Sequence, residues 1–426
     1  MKPTTKELPK ALLIGVDLPQ KNRLGQFDIA ESMSELADLS RTAEILVAAQ
    51  IVQKRESIDK VFYIGPGKAE ELLPLITDQE ITLIITDDEL TPNQQKNLEK
   101  LFEIKVLDRT GLILEIFAKR AKTHEAQLQV ELAQLEYTLP RLTRMWTHLS
   151  RQAGGIGTKG PGETQLEVDK RRIGERISLI KKKIEKVRIQ RETTRQKRSN
   201  IPMITAALIG YTNAGKSTLL NQLTEANILA EDKLFATLDP TTRKLKLPNN
   251  NTILLTDTVG FVQKLPHQLI TAFRSTLEEA NSAHIQIHVI DASSRNWKEM
   301  IDTANELLHE LDADQIQRLY VFNKMDAVKN KELFKSETTE YSPAIYVSAH
   351  KKETLSELTI ALTHLLKKYQ KTYTFHIPFS KMAIQDLIHS NGSIITETFT
   401  ETGVDITAIL NTITGDKLTN MLYEPI

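Results

Sequence analysis

The chain has 426 residues, too many for one hydrophobic core, and its length argues for roughly two to four domains. Its 55 Lys and Arg balance 55 Asp and Glu, so the whole molecule is not drawn to nucleic acid and any basic surface must be local. Cysteine is absent, which excludes disulfides and thiol-based metal or redox chemistry. No stretch approaches the roughly 18 apolar residues of a membrane span, and the N-terminus lacks a secretory leader's apolar core and cleavage site. These features predict a cytoplasmic protein; a monomer is expected, and peripheral association with a membrane is left open.

The first ~120 residues alternate strand and helix patterns. Strands are predicted over 11–16, 61–64, 81–85 and 104–107, with a longer apolar stretch over 45–52 and helices at 69–73, interrupted by Pro74, and at 92–102. Gly65 and Gly67 open a strand–helix turn that no Gly-Lys-Ser/Thr follows. Next come two apolar series. Leu128, Leu132, Leu135, Leu139, Leu142, Trp146 and Leu149 alternate steps of four and three; so do Ile173, Ile177, Ile180, Ile184 and Val187, preceded by Leu166. They predict two antiparallel helices packed along their seams, the first kinked at Pro140. Between them Gly154, Gly155, Gly157, Gly160 and Gly162, with Lys159, form a tip too poor in side chains to build a core. A stalk of about 30–35 Å with such a tip suits insertion into a narrow cavity. The second helix, 163–198, is rich in Lys and Arg, including Arg171 and Arg172, and reads as a surface for an RNA backbone. Arg144, Met145 and Trp146 near the tip suit stacking on bases, although Trp146 also lies on the seam.

A polar linker, 195–202, leads into the segment with the sharpest chemistry. After the apolar strand 204–209 comes Gly210-Tyr211-Thr212-Asn213-Ala214-Gly215-Lys216-Ser217, then a helix opening at Thr218. This is the phosphate-loop pattern G-x-x-x-x-G-K-S/T between a strand and a helix. There the glycines let backbone N–H groups wrap phosphates, Lys216 reaches the β- and γ-phosphates, and Ser217 ligates Mg²⁺. Asp257-Thr258-Val259-Gly260 ends a second strand. Asp257 is expected to hold Mg²⁺ through water, and the Gly260 N–H to meet the γ-phosphate. Asn323-Lys324-Met325-Asp326 ends a third strand, and the Asp326 carboxylate can accept both hydrogen bonds from the N1 and N2 edge of guanine, which adenine does not offer. Ser348-Ala349 follows a fourth strand, placed to read the guanine carbonyl. Each segment alone is a weak signal; all four in this order, on alternating strands and helices, specify a GTP-binding domain.

The nucleotide-sensing loop should lie between the phosphate loop and Asp257. Phe235-Ala236-Thr237-Leu238-Asp239-Pro240-Thr241-Thr242 is there, with Phe235 beside the nucleotide and Thr237 the expected Mg²⁺-closing hydroxyl, Thr241 and Thr242 competing on chemistry alone. At position 261, where many such enzymes carry a water-orienting glutamine, stands Phe261, so intrinsic turnover should be slow. Asn213 suits either a K⁺ ion held against the phosphates or local turn chemistry. His284 and His288 alternate on a strand without co-ligands and read as structural. A helix over 355–369 closes this domain, and a short β-α-β pattern at 373–377, 381–389 and 393–399 forms a small C-terminal appendage.

The fold class expected is therefore α/β: a small α/β domain (1–120), a helical hairpin stalk (121–199), a P-loop GTPase domain (200–370) and a small α+β C-terminal domain (371–426). The Gly-rich segment 154–162 with Glu163-Thr164-Gln165-Leu166-Glu167, the phosphate loop, Phe235 to Thr241, Asp257 to Phe261 and Asn323 to Asp326 together resemble the HflX family of translational GTPases, from about residue 10 to the end. Relatives often carry Arg where Lys159 stands; the charge is kept, and bidentate phosphate contact is put in question. Phe261 matches the family's hydrophobic residue. The resemblance implies GTP and GDP as ligands, the large ribosomal subunit as partner, with the hairpin near the peptidyl transferase centre, and dissociation of idle or stalled ribosomes under heat stress. Some members also use ATP through the N-terminal part, for which this chain shows no phosphate-loop motif. Two other readings remain open on the residues alone: a GTPase regulating tRNA modification, and an RNA-binding assembly scaffold that does not use GTP.

Overall fold

The computed structural model describes residues 8–19, 28–145, 165–198, 203–224, 234–235, 237–248, 251–266 and 280–423. The chain divides into two compact units, one of 1–189 with 232–239 and 262–275, the other of 190–231, 240–261 and 276–426. Two segments that the sequence assigns to the GTP-binding domain thus belong to the first unit. No helix among the described residues is long and apolar enough to cross a membrane.

The first unit is built on four parallel strands, β1 (Lys10–Asp17), β2 (Leu46–Lys54), β3 (Leu83–Thr86) and β4 (Lys105–Asp108), in the order β2-β1-β3-β4. Helices α1 (Ile29–Thr42), α2 (Pro66–Asp78), α3 (Pro92–Phe102) and α4 (Arg109–Arg120) connect or follow them. Buried on both faces, β1 and β3 read as unbroken apolar runs rather than alternations. Two sequence expectations fail here. Residues 61–64 do not form a strand: the Asp59 carboxylate accepts the Val61 and Phe62 N–H groups, Tyr63 takes a positive φ of 70°, and the chain turns back on itself. Nor does Pro74 interrupt its helix. It lies on the exposed side, where water can take up the Glu70 carbonyl, while Ala69, Leu72 and Ile76 stay buried on the core.

The predicted hairpin is present as α5 (His124–Met145) and α6 (Gln165–Arg198), with α5 running through Pro140. Leu128, Leu132 and Ile180 form its buried seam, with Leu135, Ile177 and Ile184 packed against them. Some of the basic residues read as an RNA surface instead pair across the hairpin: Arg176 with Glu131 at 2.7 Å and Lys181 with Glu136 at 2.8 Å. Arg171 is exposed and faces Glu175 at 3.9 Å. Gly154, Gly155, Gly157, Lys159, Gly160, Gly162 and Trp146 lie outside the described residues, as do the side chains of Arg144 and Met145. The stalk is tied to the sheet through one buried carboxylate. Asp108 accepts from the Gly111 and Leu90 N–H groups, the Tyr137 hydroxyl and the Arg141 guanidinium, at 2.8–3.0 Å. That donor set compensates its desolvation.

The second unit carries a six-stranded sheet of β5 (Ile204–Ile209), β6 (Thr241–Lys246), β7 (Thr252–Asp257), β8 (Ile285–Asp291), β9 (Gln317–Asn323) and β10 (Ala344–Tyr346) in the order β10-β9-β8-β5-β7-β6. All pairings are parallel except that of the edge strand β6. Among the described residues, the helices that accompany this sheet are α7 (Lys216–Thr224), α8 (Trp297–Glu310), α9 (Lys331–Glu337) and α10 (Lys352–Leu366). His288 is buried on β8 beside the Tyr320 ring and driven by desolvation to a pKa of about 3, a neutral core residue. The C-terminal part goes beyond the β-α-β pattern read from the sequence. It comprises β11 (Gln370–Pro378), α11 (Ala383–Asn391), β12 (Ser393–Phe399), β13 (Gly403–Asn411) and α12 (Thr412–Tyr423), with β13 central in an antiparallel β11-β13-β12 sheet. Phe375, Ile377, Ile388, Val404, Ile406, Leu410 and Leu418 form its core.

Candidate nucleotide-binding site

The phosphate loop joins the carboxyl end of β5 to the start of α7, at the edge where an open parallel sheet offers a crevice. Gly210 and Gly215 have φ of +136° and +95°. A Cβ on Gly210 would collide with the Val289 carbonyl, and one on Gly215 with the Asn323 amide. Asn213, exposed at the crest, takes the left-handed conformation at φ 58°, which Asn tolerates better than most residues. The loop leads directly into the N-terminal end of α7, the positive end of its dipole.

Lys216 is buried, and its ammonium donates to the carbonyls of Gly210 (3.0 Å) and Tyr211 (2.8 Å). Burial lowers its pKa to about 8, against the opposing pull of Asp257. The Ser217 hydroxyl donates to the Asp257 carboxylate at 2.6 Å, and the Thr258 hydroxyl to the Leu208 carbonyl at 2.7 Å. Ser217 and Asp257 therefore form a hard-oxygen pair at the ends of α7 and β7, a donor set that suits Mg²⁺. The turn after β7 is bonded back to the phosphate loop: Phe261 N–H to Gly210 carbonyl (3.0 Å) and Thr212 N–H to Phe261 carbonyl (2.8 Å). A Cβ on Gly260 would sit 2.8 Å from Thr212 Cα and 2.9 Å from Lys216 Nζ. Three glycines thus keep the concavity open. Thr212 Oγ1 is buried there without a partner among the described residues. An open backbone cradle, an ammonium and an orphaned hydroxyl are what a phosphate chain would complete.

At the other end the residues expected to read the base brace one another. Asn323 donates from its amide to the Ala214 carbonyl and accepts from the Ala349 N–H, both at 2.9 Å, linking the phosphate loop to the Ser348-Ala349 turn. The Asp326 N–H donates to Ser348 Oγ at 3.0 Å, leaving an exposed carboxylate that the Ser348 side chain holds below the usual range. Lys324, at φ 61°, pairs with Asp291 at 2.7 Å. The sequence reading did not single out Asp291; its only signal was a carboxylate ending a parallel strand. In the second unit, then, the structure brings together Gly210 to Thr218, Asp257 and Gly260, with Asn323 bridging to the turn that Asp326 also contacts.

Phe235 and Thr237 are placed in the first unit. The Phe235 ring, expected beside the nucleotide, is buried edge-on against Phe117 with centroids 4.6 Å apart, so its side chain is given to packing there. After Phe261, the chain also enters that unit. The Gln263 carbonyl accepts from Arg109, and Lys264 pairs with Asp87 and Asp88. Burial would raise the Asp87 pKa, but Arg109 and Lys264 bring it down to about 2.

Residues 30–118 match the family model for a GTP-binding GTPase N-terminal region, 120–198 that for a GTP-binding GTPase middle region, and 205–324 that described as 50S ribosome-binding GTPase. GTPase HflX of Caldanaerobacter subterraneus subsp. tengcongensis is 45% identical, with 92% of this chain and 91% of that protein covered. GTPase HflX of Escherichia coli is 43% identical, with 82% of each covered. A solved structure of a GTP-binding protein from Sulfolobus solfataricus in complex with GDP is 25% identical, covers 83% of this chain and 100% of that one, and has a TM-score of 0.45. On the identity and coverage of its bacterial relatives, the chain belongs to the HflX family of GTPases.

Proposed function

We propose that this protein is a GTP-switched factor that binds the large ribosomal subunit and separates idle or stalled ribosomes, hydrolysing GTP to GDP and phosphate as it cycles. The observation that carries this reading is a braced guanine-nucleotide site on the same chain as a packed helical stalk with a basic second helix. The family model over 205–324, described as a 50S ribosome-binding GTPase, supports the choice of partner. Lys216 would neutralise the β- and γ-phosphates, and the N–H groups around Gly215 would orient them. Ser217, with Asp257 acting through water and Thr237 closing from the sensing loop, would hold Mg²⁺, which when bound offsets charge on the phosphate oxygens. Asp326 and the Ser348-Ala349 backbone would select guanine. The RNA contacts would come from the Gly-rich tip (Gly154, Gly155, Gly157, Lys159, Gly160, Gly162) and from Arg171 and Arg172.

Sedimentation of ribosomes with the protein is the test. With a non-hydrolysable GTP analogue, the protein should comigrate with the large subunit and the intact ribosome peak should shrink; GDP should give neither effect. Equal behaviour with both nucleotides, or copurification with tRNA in place of ribosomes, would reject the reading.

Phe261 is buried, with its backbone bonded to the phosphate loop, and its ring offers no hydrogen bond to water. Hydrolysis therefore needs another source of positioning or charge, and Asn213 stands exposed at the crest of the loop. K⁺ in place of Na⁺ is expected to raise turnover by about tenfold through one extra cation near the developing phosphate charge. Identical rates in the two salts would remove K⁺ from the mechanism.

A further inference from the structure

Asp239 lies two residues beyond Thr237, in the loop expected to sense the γ-phosphate, and its carboxylate is bonded to the start of the stalk. Oδ2 accepts the N–H groups of Lys122 and Thr123, each at 3.2 Å, and Oδ1 accepts the Thr123 hydroxyl at 2.5 Å. Thr123 immediately precedes α5. Its own hydroxyl accepts the Ala126 N–H at 3.2 Å, and its carbonyl the Gln127 N–H at 3.0 Å, so it is the N-cap of that helix. The negative carboxylate therefore stands at the positive end of the helix dipole and extends the cap by two backbone donors that an isolated Thr123 would leave to water. The rest of the loop is seated in the same unit. Leu234, Phe235 and Leu238 are buried, and the Leu234 N–H donates to Thr42 Oγ1 at 3.2 Å.

We propose that Asp239 is a latch. In the nucleotide-free protein it holds the sensing loop on the N-cap of α5, and closure of Thr237 on a triphosphate draws it away, uncapping the first helix of the stalk. This rests on the reading of Thr237 as the nucleotide-sensing hydroxyl. The coupling is reciprocal: whatever the latch contributes to capping opposes triphosphate closure by the same amount, whereas GDP, which does not recruit Thr237, is indifferent to it.

Amide hydrogen exchange on the full chain, with GDP and with a non-hydrolysable GTP analogue, tests this. In the unaltered protein the analogue should speed exchange at Lys122 and Thr123 while slowing it at 237–238, and GDP should do neither. Asp239→Ala should exchange rapidly at Lys122 and Thr123 without nucleotide. It should bind the analogue about fivefold more tightly, the equivalent of one cap, with GDP affinity unchanged. Thr123→Val, which removes the hydroxyl from the other side of the bond, should shift analogue affinity in the same direction. Slower exchange at 237–238 with no change at Lys122 and Thr123 would overturn the latch and leave the nucleotide reading intact. No change at either segment would overturn both. Equal gains for GDP and the analogue in Asp239→Ala would also overturn the latch.

Discussion

Replacing Lys216 with alanine should abolish measurable GTP hydrolysis and weaken triphosphate binding by about 10²–10³-fold, the scale of losing a buried, charge-assisted contact to phosphate. The ammonium is already desolvated and held by two loop carbonyls, at 3.0 and 2.8 Å, so little reorganisation is needed when phosphates arrive. Calorimetry with the analogue and a single-turnover assay read the two losses; an unaltered rate would show that the loop is not the catalytic site.

The same lysine yields a pH signature. Its pKa in the free fold is about 8, lowered by burial from 10.5. Between those values the unfolded chain binds the proton and the folded chain does not. Lys216 therefore makes the free protein more stable as pH rises from about 8 to 10.5, with no further gain above. A bound triphosphate favours the charged form, so binding near pH 9 should take up close to one proton and weaken as pH rises. Calorimetric heats compared in two buffers of different ionisation enthalpy measure that uptake. Its absence would mean that Lys216 does not meet the phosphates.

The second large effect is expected for Asp326→Asn. An exposed carboxylate held below its usual range stays ionised throughout the physiological range and can accept from both N1–H and the N2 amine of guanine. The amide accepts once and turns its NH₂ toward the guanine amine, leaving that donor unpaired. Guanine nucleotide affinity should fall by about 10²–10⁴-fold. Xanthine carries a carbonyl where guanine has the amine, and its nucleotide should bind the variant better than the parent. Asp326 is exposed, so thermal stability should hardly move. Retained preference for GTP over xanthosine triphosphate in the variant would show that another group reads the base.

What was legible in the chain were features whose physics is local. The phosphate loop is eight consecutive residues whose glycines, lysine and serine carry their own geometric demands, and it was found where it was expected. The parallel strands that end in Asp257 and Asn323 are apolar toward their carboxyl ends, where they enter the buried core. The hairpin seam shows in the steps between Leu128 and Ile184. The edge strand β6 escaped because its outward face is Thr, Arg and Lys, with Leu245 its one buried side chain. β13 escaped in a region read only as a short β-α-β pattern, although its apolar alternation was present.

Tertiary structure decided what the two loops of the GTP-binding domain touch. Lys264 reaches Asp87 across 177 positions of sequence, Arg109 reaches the Gln263 carbonyl across 154, and Asp239 reaches Thr123 across 116. No periodicity or spacing encodes such pairs, since single charged and polar residues on loops look alike until packing brings specific partners together. The sequence by itself determined that this chain carries a guanine-nucleotide site, because that chemistry is written in short contiguous segments. Only the fold decided that the loops following that site are held by the N-terminal unit, because burial selects partners by position in space and not by order along the chain.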